Sequence, residues 1–460
     1  MLARLAIVFL CAFVAGCATS FRDRAWVDRE LRERMGAAMG AMGAMGAGTR
    51  GRAGDKLPAN VALDDGLNEE EVVSIALWRN PSLRAELTRI DSARATLDEA
   101  RRPANPQLSV MGPIGPVSAM ATLFAPLESL WQMPSRTEAA AREVDAAGEA
   151  VLMRALDLVR DARVLHTELG LAADRAAIRH DLAQVSLDVA RIASVRARVG
   201  DINPMEERVL SSDAQVTADA SDAALTEVAL ARARLVAQLA LDEDPAALLI
   251  ATFSTDVATP PGLPELIAIA RASRPDARAA ELAISATTAR VGWERSRMVA
   301  FGAVVEGHWA QPGAGPALRL GGRAELPVFG ANPGGIGRAD AEVERASALH
   351  EVVARTAVLE VTAAHARLAQ ATRSRQRFEA GVLPALDAAL GIAARSFEAG
   401  DESYLVVLEV QRRAGDARLR RADLIAEQRR ALCELERAIG ARLTNAADAA
   451  ARGRTKRGGS

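Results

Sequence analysis

The chain has 460 residues, of which 50% are apolar and only 3% are aromatic, and its net charge is −2. So few aromatic side chains argue against a large conventional globular core, whereas the abundant alanines suit long helices packed closely side by side. The nearly neutral charge gives no reason to expect a nucleic acid or another polyanion as a partner.

The first 16 residues are typical of a signal peptide. Arg4 precedes a short apolar run, Leu5 to Phe13, which is too short to span a bilayer as a mature helix. Small residues then precede Cys17, and this pattern resembles a bacterial lipobox, in which the cysteine is acylated and becomes the first mature residue. Because Ala18 and not aspartate follows, the pattern favours the outer membrane. The alternative is an ordinary cleaved signal with a chance cysteine.

Residues 17–66 are predicted to form a lipidated, flexible leader. Its segment 35–54 is a Met/Gly/Ala repeat, and glycine at this density disfavours a stable helix. A methionine-rich metal-binding segment is the alternative interpretation of the repeat. At the other end of the chain, the polar residues 444–460 are predicted to be a disordered tail.

The rest of the chain reads as two copies of one pattern, residues 67–257 and 258–443. Gly200-Asp201 and Gly400-Asp401 each lie between two long helical segments, and flanking residues match at a fixed offset of 200. Glycine can adopt the positive φ that ends a helix, and the polar residues after it can cap the next helix. The repetition indicates an internal duplication of long helical hairpins with tips at 200 and 400.

The helices that lead to the tips are predicted to be unusually long. Between residues 135 and 199 there is no proline, and apolar side chains recur at nearly heptad spacing. At 1.5 Å per residue this run would be roughly 100 Å long. The second copy contains Pro384, which should kink its helix or split it into stacked pieces.

Each copy also contains a predicted β-hairpin, at about 105–125 and about 300–327. The second hairpin alternates apolar with polar side chains, which is the period of a strand with two unlike faces. This pattern fits either a soluble sheet lying on a core or a membrane barrel with lipid outside and a wet lumen inside. The polar members of the alternation are Glu306, His308, Arg319, Arg323 and Glu325.

The reactive side chains form no recognisable catalytic or metal-binding motif. The five histidines show no ligand spacing with cysteines or acids, and the glycine-rich segment 333–337 lacks the Lys-Ser/Thr of a phosphate-binding loop. Once Cys11 is cleaved off and Cys17 acylated, Cys433 is left without a disulfide partner in the mature chain. We therefore predict no enzyme activity, no cofactor and no metal site.

Three segments, 71–110, 381–417 and 431–440, resemble the TolC-type outer-membrane channel family. Signature-like positions within them are Asn80, Pro81, Pro106, Pro384, Gly400 and Gly440. The resemblance covers about residues 67–441, and the lipid anchor resembles the multidrug-efflux lipoprotein branch of that family.

The resemblance implies a mainly α fold with a small β part, assembled as a homotrimer in the cell outer membrane. Each subunit would give four strands to a twelve-stranded outer-membrane β-barrel, and the duplicated helical hairpins would form a trimeric α-barrel across the periplasm. The tips would meet a periplasmic adaptor protein coupled to an inner-membrane transporter, and substrates would pass through passively. The alternative is a lipid-anchored periplasmic helical scaffold without a membrane-spanning barrel.

The tips are our first candidate site. In a trimer, Asp201, Asp401 and Glu402 would form rings of negative charge that favour cations and act as a gate. The alternative is that Gly200-Asp201 and Gly400-Asp401 only end one helix and cap the next. The polar side chains of the second hairpin are the other candidate, since they would face the lumen of a barrel and would simply be exposed without one.

Overall fold

The structure, a computed structural model, describes residues 21–37, 39, 57–58, 61, 66–112, 119–251, 259–309, 317–325, 327, 330–399 and 404–443. The predicted signal peptide, Cys17, the second tip (Gly400, Asp401 and Glu402) and the tail 444–460 lie outside the described residues.

The chain divides into two compact units, which interleave along the sequence. The sheet unit is drawn from Met1–Val27, Arg89–Glu149 and Ala279–Ser347. The helical unit is drawn from Asp28–Thr88, Ala150–Arg278 and Ala348–Ser460.

Helices account for most of the described residues. They are α1 (Arg24–Met35), α2 (Glu69–Arg79), α3 (Pro81–Ala100), α4 (Glu128–Arg198), α5 (Pro204–Leu239), α6 (Leu263–Ser273), α7 (Pro275–Ser296), α8 (Pro333–Arg377), α9 (Leu383–Ala399) and α10 (Tyr404–Ile439), with a short 3₁₀ turn at Pro245–Ala247 and a π-helical turn at Phe378–Val382. No helix in these described ranges is both long and apolar enough to cross a bilayer.

The two long helices differ as the sequence predicts. Helix α4 runs for 71 residues without interruption. The second copy is interrupted just before Pro384, where the Leu383 amide bonds to the Phe378 carbonyl in a π-helical turn. Proline has no N–H to continue the α-helical ladder, and a wider turn is one way for a helix to accommodate it.

Corresponding positions at the start of each copy make the same contact. Asn80 and Arg274, each followed by proline, are buried in the helical unit. The Asn80 Nδ2 donates to the Gln238 carbonyl (2.9 Å), and the Arg274 Nη1 donates to the Ala438 carbonyl (3.1 Å). Each side chain thus satisfies a carbonyl that the end of a return helix leaves free, and the contact repeats with the duplication.

The core of the helical unit is built from small and branched apolar side chains. Leu266 and Ala270 of α6 pack with α8 and α10 residues that are almost fully buried. The α8 and α10 members of this cluster are Val361, Ala364, Leu368, Ala431, Leu435, Ala438 and Ile439. Alanine at the contacts lets helices approach closely, which explains a stable core with so few aromatic side chains.

Helix α1 corrects the prediction that residues 17–66 form a flexible leader. Its residues Val27, Leu31 and Met35 are almost fully buried. The end of the helix is tied within the helical unit, since Arg34 Nη1 donates to the Ser273 carbonyl and the Arg442 amide donates to the Arg34 carbonyl. The four-residue spacing of the three apolar side chains, hidden among charged neighbours, is the signal that could have identified it.

The sheet unit contains both predicted hairpins in one four-stranded antiparallel sheet. Its strands are β1 (Gln107–Met111), β2 (Ala119–Pro126), β3 (Ala300–Trp309) and β4 (Ala317–Glu325), and their order in space follows the chain. The central pairing, Ala119–Pro126 with Gly302–Trp309, joins the hairpin of the first copy to that of the second.

Candidate functional sites on the sheet and at the helix tip

The register of the sheet defines one apolar face. Directly paired residues of an antiparallel sheet project to the same side, and neighbours along a strand alternate. The large apolar side chains of this face are Leu108, Val110, Leu123, Phe301, Val305, Trp309, Leu318 and Leu320. Several are strongly exposed, and the exposed fraction reaches 80% for Leu320. Such a surface needs a cover from lipid or from another protein chain.

The opposite face, called the polar face here, carries all five of the predicted lumen residues. Glu306 lies directly opposite Arg319, and His308, Arg323 and Glu325 fall on the same side by the same register. The structure therefore brings these five side chains together on one surface. That this surface lines a channel stays a prediction.

An aromatic side chain also lies on the polar face. The Phe124 ring packs so closely over Gly302 that a Cβ at Gly302 would overlap it. The Arg323 guanidinium lies over the same ring, 5.8 Å from its centroid. Glycine is required at residue 302 because a ring from the neighbouring strand occupies the space of its side chain.

The first tip has the predicted turn geometry. Gly200 has a φ of 77°, its amide bonds to the Ala197 carbonyl (3.2 Å), and the Asp201 amide bonds to the Arg196 carbonyl (2.9 Å). These paired bonds form a Schellman motif, which requires a residue of positive φ. The Asn203 side chain then caps α5 by accepting from the Met205 amide at 2.9 Å.

The acid of this tip already has a partner within its own turn. The Asp201 Oδ2 lies 3.6 Å from the Arg196 Nε, and both side chains are about half exposed. The nearby cluster of Val189, Ala193, Leu210 and Leu408 packs α10 beside α4 and α5. The gating role of Asp201 stays a prediction, because only one of the two tips is described.

The helical unit contains a buried ionic cluster that was not predicted from the sequence. Arg163 is bonded to both Glu69 and Glu436, and Arg429 is bonded to Glu69. Burial would raise the pKa of Glu69, but the charges of Arg163 and Arg429 outweigh burial and hold that pKa below its ordinary value. The cluster connects α2, α4 and α10. Only long-range contacts reveal it, since each residue alone resembles an ordinary solvated charge.

Cys433 lies within the same region as a buried free thiol. Burial raises its pKa to about 11, so the thiol is protonated at neutral pH and is a poor nucleophile. A buried, protonated thiol of this kind serves as a small packing side chain. Among the described residues, no group of three or more His, Cys, Asp and Glu side chains is placed to hold a metal ion.

The chain is similar to known proteins over much of its length. Residues 313–441 match the model of the family described as outer membrane efflux protein. Over 383 residues, which cover 81% of this chain and 90% of the relative, the chain is 25% identical to the cobalt-zinc-cadmium resistance protein CzcC of Cupriavidus metallidurans. Over these residues the chain is similar to the outer membrane efflux proteins.

Solved structures share the fold of this chain. A membrane protein from Pseudomonas aeruginosa superposes with a TM-score of 0.70 at 22% identity, covering 84% of this chain and 98% of that one. The outer membrane protein VceC of Vibrio cholerae gives a TM-score of 0.69 at 15% identity, with 82% and 96% covered. The expected fold class, mainly helical with a small β part, is confirmed.

Proposed function

We propose that this chain is one subunit of the outer-membrane channel of a tripartite efflux or export system. The observation that carries the proposal is the four-stranded sheet, which has an exposed apolar face and an opposite face with five charged or titratable side chains. A sheet of this kind suits a wall between lipid and water. The 71-residue helix α4 supplies a long body on the periplasmic side.

The finer arrangement is also a proposal. Three copies would join their sheets into a twelve-stranded barrel, and acylated Cys17 would add a lipid anchor to the outer membrane. The tips at Gly200 and Gly400 would meet a periplasmic adaptor protein and, through it, an inner-membrane transporter. The match to outer membrane efflux proteins supports this arrangement. Passive conduction through such a tube needs no catalytic residue.

The tips, rather than the sheet, would select the charge of the cargo. The polar face carries Glu306 and Glu325 against Arg319 and Arg323, so its fixed charges balance. Asp201, Asp401 and Glu402 would instead form threefold acidic rings. We infer a cationic cargo, which is consistent with similarity to a protein named for resistance to metal cations.

Conductance in planar bilayers tests this function. Purified full-length protein should give discrete channels, and the reversal potential in a salt gradient should show cation preference. The double variant Asp201→Asn with Asp401→Asn should lose that preference, while Asp219→Asn, an exposed acid on the shaft of α5, should retain it.

Two other results would contradict parts of this proposal. Channels whose selectivity is the same in the double variant would keep the channel and remove the acidic gate. Protein that is trimeric by native mass spectrometry but never inserts into the bilayer would favour the periplasmic scaffold.

A further inference from the structure

A row of soft ligand side chains crosses the polar face of the sheet. Met111 of β1 is paired with Met120 of β2, and Met120 is paired with His308 of β3. Ala317 of β4 completes the row with a small side chain beside the histidine. Directly paired residues have Cβ atoms roughly 5 Å apart, so two thioethers and one imidazole are close neighbours on one surface.

These methionines are on the unexpected side of the sheet. The opposite face is the one that exposes large apolar side chains, whereas Met111 and Met120 share a face with Glu306, Arg319 and Arg323. Met111 is nevertheless 55% exposed. Burial of apolar surface therefore gives no account of why a methionine occupies position 111.

One ring nitrogen of the histidine in the row is available to bind a ligand. His308 Nε2 is a buried atom with no hydrogen-bond partner among the described residues. The Glu306 Oε2, one step along the same strand face, lies 3.8 Å away and adds negative charge beside the row. A buried polar atom without a partner calls for a specific explanation, such as an ion.

We propose that Met111, Met120 and His308 form a binding site for a soft monovalent cation, Cu(I) or Ag(I). Thioether sulfur is a soft ligand that selects Cu(I) over hard cations, and imidazole is a good companion ligand for copper. The row lies at the end of the sheet that adjoins the two hairpin connections, residues 113–118 and 310–316. No metal site was predicted here because His308 is distant in sequence from Met111 and Met120, and only the strand register brings the three residues together.

Silver binding to the purified full-length protein in chloride-free buffer tests the site without requiring conduction. Calorimetry should find about one Ag(I) per chain in this row, and the affinity should fall at least about tenfold in Met111→Leu with Met120→Leu and in His308→Ala. The control Met205→Leu alters a methionine of α5 that is 73% exposed and should bind as the wild type does. Zn(II) in equal amount should not displace the silver.

Silver could instead bind to the methionines of the leader. A second control, Met42→Leu with Met45→Leu, should leave this site intact. If that variant loses the silver while the row variants bind normally, the proposal is wrong. X-ray absorption of the silver-loaded wild type gives an independent readout, since the row predicts mixed sulfur and nitrogen ligands, and a shell of only nitrogen and oxygen would overturn it.

Discussion

Ala240 and Gly440 lie at the same position in the two copies, and both have a positive φ, 51° and 75°. Each ends its return helix with the same pair of backbone bonds. In the first copy the Ala240 amide donates to the Ala237 carbonyl and the Leu241 amide to the Val236 carbonyl. In the second copy the Gly440 amide donates to the Arg437 carbonyl and the Ala441 amide to the Glu436 carbonyl. The turn therefore requires a left-handed residue at both ends, and only the second copy uses glycine for it.

We expect Ala240→Gly to stabilise the protein by about 1 kcal/mol, because it removes the steric cost of a Cβ in the left-handed region. The melting temperature measured by circular dichroism should rise. Ala237→Gly, within the same helix, is the matched control and should lower it, since glycine weakens a helix interior. A lower melting temperature for Ala240→Gly would contradict this account of the turn.

Arg274 holds two acids in the helical unit. Its side chain is 1% exposed and bonds to Asp276 and to Glu360, which also accepts from Arg437 at 2.6 Å. Arg274→Ala should cost about 2 kcal/mol, because it removes the cation paired with the partly buried Asp276 and the donor to the Ala438 carbonyl, while Glu360 keeps its bond from Arg437. Arg271→Ala, an exposed arginine one turn earlier in α6, should change the melting temperature little. Equal effects from both changes would exclude a special role for the buried network.

His166 should make stability depend on pH. The side chain is buried, its Nε2 lies 3.2 Å from the Leu67 carbonyl, and burial lowers its pKa. The folded state therefore binds a proton less readily than the unfolded chain, so its contribution to stability is complete above the ordinary histidine pKa and is lost as the pH falls below it.

The melting temperature should consequently fall between about pH 7.5 and about pH 5.5, and His166→Gln should reduce that fall. His180→Gln changes an exposed histidine of the same helix and serves as the control. An unchanged pH dependence in His166→Gln would assign the effect to other groups.

Gly302→Ala should destabilise the sheet by about 1–3 kcal/mol, because the new Cβ would meet the Phe124 ring. Gly321→Ala is a close control, since a Cβ there meets open space on the same face of the next strand. Combining Gly302→Ala with Phe124→Leu should cost less than the sum of the two single changes. Temperature-dependent migration of the detergent-solubilised oligomer would report all four variants. Additive costs would show that the ring and the glycine are independent.

Much of the fold could be predicted because its signals are local. The duplication, the Gly200 turn, the interruption near Pro384 and both hairpins each follow from residues that are close in the chain. The pairing of β2 with β3 joins residues about 180 positions apart, and the Glu69–Arg163–Glu436 cluster joins residues more than 360 apart. A periodic pattern specifies which face of an element is apolar, but not which distant element covers it.

The β2–β3 pairing has a further consequence for how the molecule could have arisen. Inside one chain, the hairpin of the first copy meets the hairpin of the second through an antiparallel edge. In the proposed trimer, β4 of one subunit would meet β1 of the next through an edge of the same kind. The joint within a chain and the joint between chains are then equivalent, so an ancestor of half the length could have closed the same ring from six identical subunits.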